Sequence, residues 1–598
     1  VEGAPAAADP FLFWTWRGSR SIADAITEFP YFSGLYADLH AHVIALPLTV
    51  AAIALSLAVA SGGLFSHFGG QPRFTRAGLA RLAVLALLIG SLSATNAWDV
   101  PVYAALAVTA IFMATSSMSR RQRILMFAGT SVAWAVVAWL LFLPFHRHFV
   151  ALFGQLALVR DPTDLLQFLT HAGGLLAICV LGLTALLMSR GSRSLALSIW
   201  PWMVLASAAL GMILLSAGAE NLAQIGFLLL AGAFAAPPLV AAWLLASEQQ
   251  TAASGPSWPI GALLLAVSVV ATASVLNGRA VFGLLLAVGC AAAVGWLRLE
   301  PVADRFTGLL LAAGCFTAAG VEIVVVADDL IGTPAYRMNT VFKFYNQVWV
   351  LLALAGSAFV ALMIRESTRA IAARSLTHTD LPGRRAWSRV GLATATLILL
   401  AALAYPAMAT GPRLAQRFTP GTRSGTLDAL AWMEAGSVPV LGNAEYAEIT
   451  YASDAAAIDW LLTNVSGTPV IAEASIGPYR CHGSRISSAT GLPTIIGWER
   501  HQQQQRYPEA LPKRVEDVRT LYTSTDMTEK TSILRRYNVE FIVVGDLERL
   551  YPIANNECAP TGSAAGIAAF EAMLGTTLAV AHSSGGTTIY RVLPIGAA

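Results

Sequence analysis

Asp38, His40 and His42 place a carboxylate and two imidazoles within five consecutive positions. A carboxylate beside an imidazole suits general-base work, because partial desolvation moves both groups towards neutrality. If a helix begins near residue 36, Asp38 and His42 stand one turn apart on a common face. The trio Asp38, His40 and His42 can also hold a divalent metal, although a further ligand is wanting. Its plainer reading is an interfacial cap, with Asp38 serving the N-terminus of a helix. Glu28, ahead of Phe29–Pro30 in an amphipathic stretch, is a second carboxylate for the same catalytic set, or else a solvated surface acid.

Further along, Asn96 and Asp99 flank Trp98 ahead of Pro101 and Tyr103. Anchoring at a membrane interface explains the aromatic residues but does not require Asn96 or Asp99. The string from Tyr336 to Tyr345 carries Arg337, Asn339 and Lys343. An arginine fork and a lysine point charge can hold a phosphate between them, and contact with lipid headgroups is the alternative. Glu322 is an acid inside an apolar segment and so a functional candidate. Residues 477–506, polar and glycine-punctuated, contain Arg485, Trp498 and His501 and read as a substrate-side lid, or as an ordered surface loop.

The elements that must position these groups follow from composition. Of 598 residues, 12% are charged and 56% apolar, and the mean hydropathy is +0.62. Soluble proteins carry about a quarter charged residues, so the chain is an integral membrane protein. A net charge of +3 gives no argument for nucleic acid. A hydrocarbon core about 30 Å thick needs roughly 20 apolar residues of helix. Twelve such spans are expected: 43–60, 79–95, 100–118, 124–145, 165–188, 195–216, 222–247, 258–275, 278–299, 304–327, 346–364 and 388–408. One set of alternate loops carries sixteen arginines and the other five basic residues, which puts the first set in the cytoplasm. The candidate loops then lie outside, with Glu322 one to two turns below the outer mouth of its span, and the spans form a bundle in the plasma membrane.

Residues 1–42 read as an extracytoplasmic or interfacial segment, 43–408 as the membrane domain and 409–598 as an extracytoplasmic α/β domain. In the last, helix is expected at 454–464, strand at 468–474 and 538–546, and a hairpin at 578–592. Cys481 and Cys558 fall in this part, where they can pair or remain two small apolar residues. The start at Val1, without Met or a leader, reads as processed or truncated.

The strings EFPYFSGLYADLHAHVIALP, TNAWDVPVY, RMNTVFKFYNQVW, RISSATGLPTIIGWERHQQQ and RRYNVEFIVVGDLER, in this order, resemble the "YYY" membrane protein family of bacteria and archaea. That family is grouped with the GT-C glycosyltransferases. Its members usually carry GDLHPH where this chain has Ala37-Asp38-Leu39-His40-Ala41-His42. The resemblance implies a GT-C-like bundle with an acid in the first outer loop, here Asp38, and a polyprenyl-phosphate sugar as donor. The acceptor, whether glycan, lipid or protein, is not implied. In an inverting reaction a carboxylate takes the acceptor hydroxyl's proton while cations stabilise the departing phosphate; Arg337 and Lys343 have the chemistry for that clamp. A transporter or lipid-linked-sugar flippase and a non-catalytic envelope assembly protein are the competing classes. A carrier is expected to show ionisable residues at mid-depth and paired broken helices; this sequence has almost none at mid-depth, and its polar groups gather at one outer face.

Overall fold

The computed structural model describes residues 16–36, 40–68, 71–151, 154–190, 210, 220–248, 258–373, 382–441, 446–474, 483–505, 508–549 and 563–594. The chain divides into two compact units, Val1–Arg413 and Leu414–Ala598.

The first unit is a helical bundle. A short helix α1 (Pro30–Tyr36) leads into α2 (Ala41–Ala60), which is followed by a small ribbon, β1 (Phe65–Phe68) with β2 (Gln71–Phe74). Helices α3 (Arg76–Thr95), α4 (Val100–Ala114) and α5 (Arg120–Leu141) complete the first group, a 3₁₀ turn at Ala97–Asp99 joining α3 to α4. After α6 (Leu143–His148) and β3 (Gln155–Leu158), a span α7 runs from Leu165 to Met188. Then come α8 (Glu220–Glu248), α9 (Trp258–Leu276), α10 (Ala280–Arg298), α11 (Val302–Val321), strand β4 (Val324–Ala327), α12 (Met338–Ala373), α13 (Pro382–Ala402) and α14 (Ala404–Arg417).

Among the described residues nine helices are long and apolar enough to cross a membrane, and Leu229–Trp243 and Ala262–Leu276 are shorter apolar helices. The expected span 195–216 falls almost wholly outside the described residues. The expected helix 304–327 is corrected at its end. It stops at Val321, and the β-branched run Val324–Val326 enters an antiparallel ribbon with β3, Leu158 opposite Val324. Such residues fit a pleated strand better than a helix end. The expected loop 328–345 is corrected too, because α12 already begins at Met338.

The two ends of the bundle differ in chemistry. At one end Arg81 donates to the carbonyls of Ala58 and Gly62, and Arg305 to that of Trp296. Arginine at a helix C-terminus satisfies carbonyls that the helix leaves unpaired and meets the favourable pole of its dipole. The polar-aromatic strings meet at the other end: the hydroxyl of Tyr336 accepts from the N–H groups of Arg160 and Asp161, and Arg279 donates to the carbonyl of Glu322.

Helix packing depends on close backbone approach. A Cβ on Gly283 would stand 2.5 Å from the Ala271 carbonyl oxygen of the neighbouring helix, whereas one on Gly129 would meet nothing within 4 Å. Small residues at such crossings let membrane helices associate.

The second unit holds a four-stranded sheet in the order β7 (Val470–Ala472), β8 (Val539–Val544), β10 (Thr587–Val592), β9 (Leu578–Ser584). β7 and β8 are parallel and the other pairs antiparallel. Earlier in the chain, β5 (Ser437–Leu441) and β6 (Tyr446–Thr450) form a separate ribbon. The helices are α15 (Ala452–Asn464), α16 (Arg485–Thr490), α17 (Glu499–Gln505), α18 (Leu511–Thr523), α19 (Met527–Arg536), α20 (Asp546–Arg549) and α21 (Ala564–Ala572). Ile458, Ile471, Leu521, Ile542, Val543 and Phe570 are buried in its core. Lys530 is wholly buried there, its ammonium donating to the Leu521 carbonyl and lying 4.0 Å from the Phe570 ring centre.

Two outcomes follow. Replacing Gly283 with Leu forces the backbones apart and costs about 1–3 kcal/mol, read as a lower thermal midpoint in detergent, while Gly129→Leu leaves the midpoint unchanged. Burial lowers the Lys530 pKa from 10.5 to about 8. Between those values the unfolded chain binds more protons than the folded one, so this group makes stability rise with pH through that window. Below about pH 8 the full burial penalty applies. Denaturant titrations of the whole protein at pH 7, 8, 9 and 10 should show the rise, and Lys530→Met should flatten it.

Candidate functional site

At the polar end of the bundle the start of α12 meets the 3₁₀ turn Ala97–Asp99, and the start of α2 packs on Phe342 of α12. His42 lies in the first turn of α2 and is buried. Its Nε2 is 3.5 Å from Oε2 of Glu28, also buried, which accepts a hydrogen bond of 2.8 Å from the Ser33 hydroxyl. Neither imidazole nitrogen of His42 makes a hydrogen bond, so the pair is close but not locked. The His42 ring packs edge-on against Phe342, with centres 4.8 Å apart, and the Lys343 ammonium lies 4.7 Å from the centre of that same ring.

Lys343 also lies within Coulombic range of Asp99, which is 3% exposed. Asn96 is buried beside it, its side chain within reach of the Asp99 carboxylate. Gln347 follows Lys343 by one helical turn; its amide donates 2.9 Å to the Trp98 carbonyl, and Phe344 packs edge-on against Trp98. The arrangement brings a carboxylate–imidazole pair, a second buried carboxylate and an ammonium to one end of three helices. Such a set can move a proton and hold an anion.

Several expected placements are corrected. The helix carrying His42 starts at Ala41, with His40 in extended backbone as its N-cap, so a helix from residue 36 placing Asp38 and His42 one turn apart is excluded. His40 stacks at a tilt on His42, with ring centres 5.7 Å apart. Asp38 itself lies outside the described residues. Among the described residues no group of three His, Cys, Asp or Glu side chains can hold a metal ion.

Arg337 and Lys343 do not form one clamp. In a helix, positions six apart point about 120° away from each other, and α12 begins between them. Arg337 turns instead into the bundle, donating 2.7 Å to Glu322 Oε1, 2.6 Å to the Asp161 carbonyl and 3.1 Å to the Val321 carbonyl. Glu322 is 1% exposed and accepts further bonds from the Thr163 N–H and hydroxyl and from Tyr345. The two terminal guanidinium nitrogens are engaged by this brace, with Nε buried and unpaired, and Glu322 and Tyr345 are part of it. Asn339 donates 2.8 Å to Asp328 and so fastens the loop ahead of α12.

In the second unit Arg485 is corrected in the same way. Its guanidinium is buried between Asp454 and Glu548, donating to both carboxylates. Burial opposes its charge, but the two acids outweigh that and raise its pKa well above the ordinary value. Just before it, Glu473 accepts the backbone N–H groups of Ile486 and Ser487 at the start of α16, while burial raises its own pKa. Trp498 and His501 pack edge to face, 5.6 Å between ring centres. Cys481 and Cys558 lie outside the described residues.

Gln347, Asn346 and Phe342 escaped the sequence reading. The available signal was helical spacing: once the string is read as helix, Gln347 shares the face of Lys343, and Asn346 that of Phe342. Thr163, which binds Glu322 twice, carried no signal at all.

Removing one partner of a buried ion pair leaves an uncompensated charge and costs about 3–5 kcal/mol. Glu322→Gln and Arg337→Met should therefore each lower the thermal midpoint strongly, and the double variant should recover part of the loss. A phosphate clamp at Arg337 would instead leave the midpoint of R337M near that of the parent.

No curated protein matches the chain. Residues 2–257 and 219–352 match the family model described as "Uncharacterized membrane protein (DUF2298)", and together these stretches cover more than half of the 598 residues. The chain belongs to that family of membrane proteins.

Proposed function

We propose that the protein is an inverting glycosyltransferase of the plasma membrane, taking a sugar from a polyprenyl-phosphate carrier, with the polar end of the bundle and the second unit on the extracytoplasmic side. The observation that carries the reading is the buried Glu28–His42 pair, 3.5 Å apart, packed through Phe342 beside Lys343. Orientation rests on the excess of arginine in the loops at the opposite end.

In the reaction the acceptor hydroxyl attacks the anomeric carbon as the bond from that carbon to the phosphate oxygen breaks. The hydroxyl proton passes to a carboxylate, and the negative charge that develops on the departing polyprenyl phosphate is met by a cation. Asp38, two positions before His40 in sequence, is the assigned base. Glu28 and His42 support it or relay the proton. Lys343 is the cation, Arg337 having been withdrawn by its bond to Glu322. Asp99 and Asn96, within reach of each other, form a buried polar pair for sugar hydroxyls to engage.

A carrier reading gains little support. Among the described residues of the first unit, the buried charged groups Glu28, Asp99, Asp304, Glu322, Asp328 and Arg337 lie at helix ends or in loops, not at mid-helix. An ion-coupled carrier places such groups near the midplane.

Purified protein in nanodiscs, given radiolabelled polyprenyl-phosphate hexoses and pentoses with candidate acceptors, should transfer label. Asp38→Asn should slow transfer about 100-fold or more, the range for a lost general base, and Lys343→Met should slow it comparably. Equal turnover by D38N would remove Asp38 from the base role. Uptake into proteoliposomes driven by an ion gradient, without transfer, would replace the enzyme by a carrier.

A further inference from the structure

The second unit contains a cleft of about 530 Å³ between the segment beginning at Ser484 and the start of α18, including Arg514. Two of its lining groups lack partners. Ser484 is 4% exposed and its hydroxyl makes no hydrogen bond, and the indole N–H of Trp498 is buried and unpaired as well. Buried polar groups in folded proteins nearly always find partners, so two orphans on residues that line one cleft point to a ligand that supplies them.

The backbone adds a second sign. Ser484 has φ +59°, a left-handed conformation that a serine rarely holds. Strain of this kind persists where the surroundings over-determine it and gathers at binding sites. Here the restraint is visible: Arg485, the next residue, is fixed between Asp454 and Glu548. Gly497, at φ +74°, brings the opposite chain close enough that a Cβ on it would stand 3.5 Å from the Ser484 hydroxyl.

The lining also states what kind of ligand fits. Ser487, Ser488, Thr494 and Gln502 join Ser484 in groups that both donate and accept, as a ligand rich in hydroxyls requires. Leu492 and Ile495 supply apolar surface next to the indole. Among the described residues no carboxylate lines the cleft. The cation among the described lining residues, Arg514, already donates 2.7 Å to the Ile495 carbonyl and lies over the Tyr537 ring. An aromatic side chain among hydroxyls and amides, without free charge, suits a neutral sugar, whose ring has an apolar face and a hydroxylated rim.

We propose that this cleft is a carbohydrate-binding subsite for a neutral hexose or disaccharide. It is independent of the transfer reaction proposed above, since its test reads binding in the absence of any donor.

The experiment is saturation-transfer NMR on the full chain in nanodiscs with methyl glucoside, methyl mannoside, N-acetylglucosamine and maltose as probes. At least one should receive saturation. Ser484→Gly deletes the hydroxyl and suits the left-handed backbone; Trp498→Phe keeps an aromatic ring and deletes the N–H. Each should weaken binding about tenfold, the effect of one lost hydrogen bond, with the thermal midpoint unchanged. Silence from all four sugars, or equal binding by both variants, overturns the proposal. Binding of inorganic phosphate with none of the sugars also overturns it, making the cleft an anion site at Arg514.

Discussion

The buried pairing of Glu322 with Arg337 is the constraint on which the first unit's polar end depends. Glu322 sits where α11 has just ended and Arg337 where α12 is about to begin. Through Thr163 and the Asp161 carbonyl, the same pair holds the approach to α7. Two charges taken out of water are expensive unless every lone pair and N–H is engaged. Glu322 meets that requirement with four donated bonds, from Thr163 twice, Arg337 and Tyr345. Because the start of α12 is pinned by Arg337, the directions of the following residues are fixed in turn. Phe342 is delivered to His42, Phe344 and Gln347 to Trp98, and Lys343 to the neighbourhood of Asp99.

Much of the architecture was legible because a bilayer imposes strong length and composition rules. The apolar runs that became α2, α3, α5, α7 and α10 stand within a few residues of their expected bounds. The alternation of strand and helix after residue 450 was readable from period and turn chemistry, the hairpin 578–592 included. What the sequence could not reveal was where a helix yields to another structure inside a continuous apolar or polar string. Val324–Val326 look like the tail of a span, yet they pair with β3 across a long separation. Residues 338–345 look like a loop because of their polarity, but that polarity is arranged at helical intervals for three different neighbours.

The site was legible in part, and its failures share a cause. Arg337 and Arg485 were singled out as ligands for phosphate or substrate, and both are buried against acids, Glu322 fifteen positions away for the first, Asp454 and Glu548 much further off for the second. A sequence displays cations and acids without showing which of them meet, so a structural ion pair and a ligand clamp look alike. Glu28 and His42 were recoverable, since both stand close together in the chain and their approach needs only the short turn of α1. Gln347, by contrast, acquires its meaning only from the Trp98 carbonyl.

The ribbon of β3 with β4 has a bearing on how the chain is made. Gln155–Leu158 and Val324–Ala327 are complementary edges, but the ribosome releases the first long before the second. Until α11 has been inserted, the earlier strand has no native partner for its backbone N–H and C=O groups, and unpaired strand edges invite wrong associations during synthesis. Leu156 and Leu158 remain largely exposed even in the finished ribbon. The early helices must therefore wait, with one seam open, for the later ones to close it. Membrane insertion and the final stitching of this end of the bundle are separate events in the life of the chain.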